Sequence, residues 1–232
     1  MEVTELYSEG LEIFKKNPII TAPLIAVEIL MGVVALTLMD SMVASTGLMG
    51  MGGFEPNLAA FEAFMGAAFL FGIIFWVLKL IAYAMTYVMA DDATSGRADL
   101  TSGLQKTLGN IANLLITSIL LGILVFIGMM FLVLPGLIAA YFLMFSIVLV
   151  MLENKGPVEA LQGSFELVKA NLKDTLVFAV VAIVILIIAG IISGILGVIP
   201  VIGLLIIAPL ISGATMAYLN LVLVLLYRDI TK

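Results

Sequence analysis

The stretch that decides the fold is residues 156–173, GPVEALQGSFELVKANLK, which lies between two long apolar runs. Its apolar residues recur every three or four positions, the spacing of one face of a helix, and they are Val158, Leu161, Phe165, Val168 and Leu172. Charged and amide side chains occupy half of the positions between them. The pattern predicts an amphipathic helix that lies on a membrane surface and leads into a membrane span.

The composition of the whole chain indicates that its solvent is lipid. Of the 232 residues, 63% are hydrophobic and 11% are charged, whereas a soluble domain has about 45–50% apolar and about 25% charged residues. The chain has no Cys and no His, which excludes disulfides, thiolate nucleophiles, imidazole bases and the usual zinc ligands. The net charge of −6 argues against nucleic acid as a partner.

Six apolar runs are long enough to cross a bilayer whose hydrocarbon core is about 30 Å thick. The predicted spans are 18–39, a part of 58–90, 111–133, 136–152, 174–197 and 203–227. The second window exceeds the length of one span, so either its helix projects beyond the membrane or its first residues, LAAFEAF, form a separate interfacial turn. The first run follows four glutamates rather than a basic region, so we expect it to be a span and not a signal peptide.

Two further amphipathic helices are predicted at 3–16 and within 93–110. The predicted apolar faces of the three surface helices contain Tyr7, Leu11 and Phe14, then Leu100 and Leu104, then Leu161, Phe165 and Val168. The fold class is therefore all-α: one polytopic membrane helix bundle over residues 1–232, with six transmembrane helices and three amphipathic interfacial helices.

The basic residues predict the orientation. In the six-span arrangement, nine of the ten Lys and Arg fall on the side that also holds both chain ends, whereas the segments 40–57, 134–136 and 198–203 on the opposite side contain none. The positive-inside rule then places both termini and the three surface helices in the cytoplasm. We expect a multi-pass protein of the plasma or inner membrane.

Each surface helix is followed by two spans, which indicates an internal repeat. An offset of 154 aligns Asn17 with Asn171 and Glu12 with Glu166, and an offset of 93 brings Asn110 to the same place. The repeat units would be 1–90, 91–152 and 153–232, all beginning on the same side of the membrane. Alternatively, the three helices are unrelated, because interfacial helices commonly precede membrane spans.

Two charges lie deep in predicted spans. Glu28 is about 15 Å from the cytoplasmic end of span one, and Lys79 is roughly 16 Å from that of span two. Consecutive spans run antiparallel, so the two side chains can meet near the midplane, and an isolated charge there would cost about 2.5–3.5 kcal/mol. We predict an ion pair. It either fixes the register of the two spans or forms a site for a proton, an ion or a substrate headgroup.

Span five carries small residues at helical spacing. Ala189, Ser193 and Gly197 form a ridge over two turns, and Gly190 and Gly194 lie beside it. Small residues allow membrane helices to approach closely, so we predict a packing seam that serves either a neighbouring span or a second copy of the chain.

The segment from Leu134 to Asn171 resembles a known family. It combines a Pro-led span carrying Tyr141 and Phe142, a short Gly turn, and a surface helix of the form A-L-x-x-S with Ala160 and Ser164. It is similar to the six-span prokaryotic membrane domain that is appended to some glycerophosphodiester phosphodiesterases and to YciC-type inner-membrane proteins. The resemblance implies a six-helix membrane domain of undefined activity, without the phosphodiesterase barrel and its catalytic residues.

Non-catalytic functions are favoured, because the charged residues of the predicted inner surface form no paired arrangement suited to catalysis. The preferred hypothesis is a lipid-interacting or membrane-organising module. The alternative is a small permease or channel for an ion or hydrophobic solute that uses Glu28 and Lys79. We expect no cofactor and no metal. The expected partners are membrane lipid and either a second copy of the chain or another membrane protein.

Overall fold

A computed structural model of the chain describes residues 2–46, 58–199 and 201–232. Every regular element in these ranges is helical, which confirms the all-α prediction. The helices are α1 Val3–Lys16, α2 Ala22–Thr46, α3 Leu58–Ser95, α4 Leu100–Gly109, α5 Ile111–Phe131, α6 Val133–Phe142, α7 Ser146–Glu153, α8 Pro157–Ala170, α9 Leu172–Leu196 and α10 Ala208–Ile230. A 3₁₀ turn, Pro18–Thr21, precedes α2, and a π-helical turn, Gly203–Ile207, precedes α10.

Six helical stretches of the described residues are long and apolar enough to cross a membrane, as predicted. They are Pro18–Leu38, Phe61–Ser95, Ile111–Phe131, Val133–Glu153, Leu172–Leu196 and Leu205–Ile230. The second is part of one continuous helix of 38 residues, α3, which is about 57 Å long at 1.5 Å per residue. The LAAFEAF segment is therefore the first two turns of α3 and not a separate interfacial turn.

The last span, α10, is the central helix of the bundle. It contacts α1, α2, α3 and α9, and its side chains from Leu219 to Tyr227 are all buried. This run consists mainly of Leu and Val, with Asn220 as its polar member, and Asn220 Nδ2 donates a 2.6 Å hydrogen bond to Thr86 Oγ1 of α3. Apolar packing and one buried polar link thus hold α10 against α3.

The three predicted surface helices correspond to α1, α4 and α8, and all three end in the same way. Asn17, Asn110 and Asn171 follow their last residues, and each Asn side-chain amide donates to the carbonyl four residues earlier, over 3.1, 3.4 and 2.9 Å respectively. The next helical segment begins at the following residue in each case. The offsets of 93 and 154 therefore relate equal local structures, and the threefold repeat itself stays a prediction.

The predicted apolar faces are divided between the protein and its surroundings. Leu11, Leu100, Leu104 and Phe165 are exposed and Phe14 is half-buried. By contrast, Tyr7, Leu161 and Val168 are buried in the bundle, so the expectation that whole faces lie on the membrane is wrong for these three. The cause is that α1 and α8 lie against the spans and turn one edge of the apolar face inward.

Tyr7 shows how α1 is fixed to the bundle. Its hydroxyl donates to the Phe178 carbonyl of α9 over 2.8 Å, and its own carbonyl accepts from the Tyr218 hydroxyl of α10, also over 2.8 Å. Burial, together with the neighbouring Tyr218, raises the pKa of the Tyr7 hydroxyl above its ordinary value, so this group stays protonated and remains a donor.

Span four is broken into α6 and α7 by the turn 143–145. Ser164 of α8 closes the break: its hydroxyl accepts from the Phe145 N–H over 3.0 Å and donates to the Phe142 carbonyl over 2.9 Å. The exposed fraction of Ser164 is 0%, so both backbone groups are satisfied inside the protein, as membrane structures require. The turn before this span also differs from the prediction, because α6 begins at Val133 and includes Leu134, Pro135 and Gly136.

The predicted packing seam of α9 is used only in part within the bundle, and its use by a second copy of the chain stays a prediction. A Cβ added at Gly190 or Gly194 would meet no atom within 4 Å, so these two glycines face away from the bundle. Ser193 faces α2 and α10, and Gly197 lies in the turn after α9. The close helix approach occurs elsewhere: a Cβ at Gly213 of α10 would lie 3.1 Å from the Ile25 backbone nitrogen of α2.

Candidate functional site

The structure brings Glu28 of α2 and Lys79 of α3 together. Lys79 Nζ lies 2.7 Å from Glu28 Oε1, and the exposed fractions of the two side chains are 35% and 23%. Glu28 is ten residues after Pro18, or about 15 Å along the helix, which is half the thickness of a hydrocarbon core of about 30 Å. The pair is thus an electrically neutral, partly accessible polar group at mid-depth.

Lys79 lies at one end of a groove between α2 and α3, which we call the α2–α3 groove. Its volume is about 330 Å³, and its lining is apolar apart from Lys79. The lining includes Met31, Ala35, Phe71, Gly72, Phe75 and Trp76. The Lys79 ammonium group has three N–H donors. Among the described residues, its acceptor is Glu28 Oε1.

Glu28 borders a second groove, which α2 forms with α9 and α10. This groove, of about 300 Å³, is lined by Glu28, Met31, Ser193, Pro209 and Ser212 among others. The Ser212 hydroxyl donates to the Ala208 carbonyl of its own helix over 2.8 Å. Met31 and Ala35 of α2 line both grooves, and one partner of the ion pair borders each of them.

In contrast to the apolar grooves, the region where the spans meet the surface helices contains several ionic contacts, and we call it the polar end. Here Asp91 of α3 pairs with Arg228 of α10 at 2.6 Å, and Asp92 pairs with Lys106 of α4 at 3.1 Å. The Tyr227 hydroxyl donates to Glu153 of α7. These links were not predicted from the sequence. The charged residues at the ends of the spans were a signal, but which of them pair depends on which spans are neighbours.

The family comparison matches residues 1–228 to a domain of unknown function, DUF7847. The chain belongs to this family. No curated protein and no solved structure matches the chain. The match extends over the surface helices and all six spans, so the grooves and the polar end both lie within the DUF7847 domain.

The comparisons give no support to the resemblance to the phosphodiesterase membrane domain or to YciC-type proteins. The pattern behind that resemblance has a local structural cause. Ser164, its distinctive residue, closes the break in span four, and Tyr141 hydrogen-bonds to Thr175 of α9 over 2.7 Å. Any helix bundle with a broken span and a following surface helix can require such contacts, so the pattern does not identify a particular family.

The linings of the two grooves combine largely apolar walls with one ion pair. The charged residues in the linings, Glu28 and Lys79, are occupied with each other. The rings of Phe71 and Phe75 are stacked with their centroids 6.5 Å apart and help form an apolar wall. Small-molecule sites are commonly lined in this way, by apolar and aromatic side chains with a few polar groups.

Proposed function

We propose that this DUF7847 membrane protein is a lipid-interacting module without catalytic activity, which holds an acyl chain of a membrane lipid in the α2–α3 groove. The observation that carries the proposal is the groove itself, which is apolar along its length and bordered by Lys79 at one end. Its mid-depth position matches the part of the bilayer that acyl chains occupy.

Size and charge support an uncharged apolar occupant. Ligand pockets usually measure about 300–1,000 Å³, so a groove of about 330 Å³ suits a single chain better than a whole lipid. Lys79 is neutralised by Glu28 at 2.7 Å, so an anionic group entering the groove would have to displace a carboxylate that is already in place. An apolar chain needs no such exchange. It also gives the apolar side chains that line the groove van der Waals contacts that they would otherwise lack.

Glycines on α3 allow a matched test. Gly72 lines the groove, and a Cβ added there would meet no atom within 4 Å; a Cβ at Gly66, on the same helix and outside the lining, is equally unobstructed. Native mass spectrometry of the gently purified protein should show lipid at a fixed stoichiometry. Gly72→Leu should lose that lipid, whereas Gly66→Leu should keep it. Equal retention by both variants would contradict the proposal.

A permease or channel is the second candidate, favoured by the partly exposed ion pair between two grooves and by the break in span four. Broken helices and mid-depth polar groups are common at transporter sites. The test is ion or solute flux in protein-containing liposomes. Flux that the double variant Glu28→Gln/Lys79→Met abolishes, in a protein that retains no lipid, would replace the first proposal with this one.

A further inference from the structure

Arg97 lies in the turn between α3 and α4, and this turn is held by a contact with a distant part of the chain. The Ala98 N–H donates to Asn17 Oδ1 over 3.0 Å, and both Ala98 and Asn17 are 5% exposed. The Asn17 side chain also donates to the Ile13 carbonyl at the end of α1. The backbone beside Arg97 is therefore fixed, while the Arg97 side chain itself is exposed.

Two recesses adjoin at Arg97, and they differ in character. The first, of about 590 Å³, lies between the end of α1 and the end of α3 and also includes Lys16. The second, of about 510 Å³, is bordered by Ile19 and Leu100, whose exposed fractions are 43% and 42%. Arg97 thus stands between a polar recess with a second cation and an exposed apolar surface.

The charges of Arg97 and Lys16 have no ionic partner among the described residues. The nearby carboxylates are already engaged: Asp91 with Arg228 and Asp92 with Lys106. Asp99, which borders the second recess, accepts a hydrogen bond from the Thr101 N–H over 2.9 Å. The guanidinium is free to form the paired hydrogen bonds that it makes to phosphate oxygens.

We propose that Arg97 and Lys16 bind the phosphate of an anionic phospholipid at the polar end, with the acyl chains descending past Ile19 and Leu100. Basic pockets between membrane helices bind anionic headgroups in this manner. A free phosphate ion would use the two cations but would gain nothing from the apolar surface beside them. The site shares no residue with the α2–α3 groove, so it adds a second lipid contact of different chemistry.

The test compares phosphatidylglycerol with phosphatidylcholine as probes, added to delipidated protein in detergent and followed by native mass spectrometry. We expect phosphatidylglycerol to bind more tightly. Arg97→Gln should weaken that binding at least about tenfold, as the loss of charge-assisted hydrogen bonds implies. The affinity of Arg97→Lys should lie between those of Arg97→Gln and the unchanged protein, since lysine keeps the charge but lacks the paired N–H donors of the guanidinium. Lys169→Gln, an exposed cation of α8 outside both recesses, is the matched control and should bind normally.

Three outcomes would overturn the inference. They are equal binding of the two lipids, an equal loss in the Arg97→Gln and Lys169→Gln variants, and full displacement of phosphatidylglycerol by inorganic phosphate at moderate ionic strength. Unfolding of Arg97→Gln is monitored by its thermal transition without lipid, and Lys16→Gln provides a second variant of the same site. Gly72→Leu should lower the binding of the two lipids alike and leave the preference for phosphatidylglycerol unchanged, which separates this site from the groove.

Discussion

At the residue scale, the Glu28–Lys79 pair has the clearest energetic consequence. Glu28→Gln leaves the Lys79 ammonium without its counter-charge beside an apolar groove. Removing one partner of a fully buried pair costs about 3–5 kcal/mol. Because an unpaired charge at mid-depth of a membrane costs about 2.5–3.5 kcal/mol on insertion scales, we expect a loss of about 3 kcal/mol in the free energy of unfolding.

The double variant Glu28→Gln/Lys79→Met removes the orphaned charge and should recover most of that loss. Thermal or denaturant unfolding in one fixed detergent compares Glu28→Gln, Lys79→Met and the double variant as a cycle. If the loss of unfolding free energy in the double variant equals the sum of the losses in the two single variants, the charges act independently and the ion pair has no structural role.

Sequence reasoning reached this pair because both depths could be counted from the ends of consecutive, antiparallel spans. The same reasoning could not reach the pair of Asp91 with Arg228, whose partners are 137 positions apart. That pairing depends on α10 lying beside α3, and an apolar run does not indicate which of five other spans will be its neighbour. The hydrogen bond of Asn220 to Thr86 was inaccessible for the same reason.

At the scale of elements, the break between α6 and α7 depends on one side chain of α8. Ser164→Ala would leave the Phe145 N–H and the Phe142 carbonyl without their partner in a buried position. Unsatisfied buried groups cost about 1–3 kcal/mol, so we expect that loss of stability and a lower thermal transition. Ser118→Ala is the matched control, since the Ser118 hydroxyl donates only within its own helix, to the Leu115 carbonyl. A similar transition temperature for both variants would show that Ser164 does not support the break.

Hydropathy predicted the number and approximate limits of the spans but not this break. Leu143, Met144 and Phe145 are apolar, without a Gly or Pro to mark a turn, and the hydroxyl that accepts from the Phe145 N–H comes from α8. The part of the α9 seam that serves a neighbouring span was hard to predict for a related reason. In a helix that is apolar on every side, small residues such as Gly190 show where a close approach is possible, but not which face the neighbouring helix takes.

At the scale of the whole molecule, the absence of cysteine from the sequence makes the orientation testable by single substitutions. Ser8 is exposed on α1, and Val198 is exposed in the turn after α9, at the other end of the bundle. The positive-inside rule predicts that a membrane-impermeant maleimide labels Val198→Cys in intact cells and Ser8→Cys only after permeabilisation. Labelling of both in intact cells would contradict the six-span arrangement, and the reverse result would invert it.

The charge asymmetry and the threefold alignment were both visible in the sequence, but the arrangement of the units was not. Asn17, Asn110 and Asn171 end their helices alike, yet Asn17 also holds the turn at Ala98 and Asn110 bonds to Asn154 over 2.8 Å. Equal positions have therefore acquired different partners, which only the packing of the helices reveals.

The length of α3 creates a hydrophobic mismatch with the bilayer. From Leu58 to Ala90, before the acidic residues of the polar end, the helix is about 50 Å long, whereas the hydrocarbon core is about 30 Å thick. Tilting alone would require roughly 53°, beyond the range of about 0–40° seen for membrane helices. The first turns of α3, with exposed Phe61 and Met65, must therefore leave the hydrocarbon layer. Because a thicker bilayer would cover more of these turns, the protein should partition toward the thicker regions of its membrane.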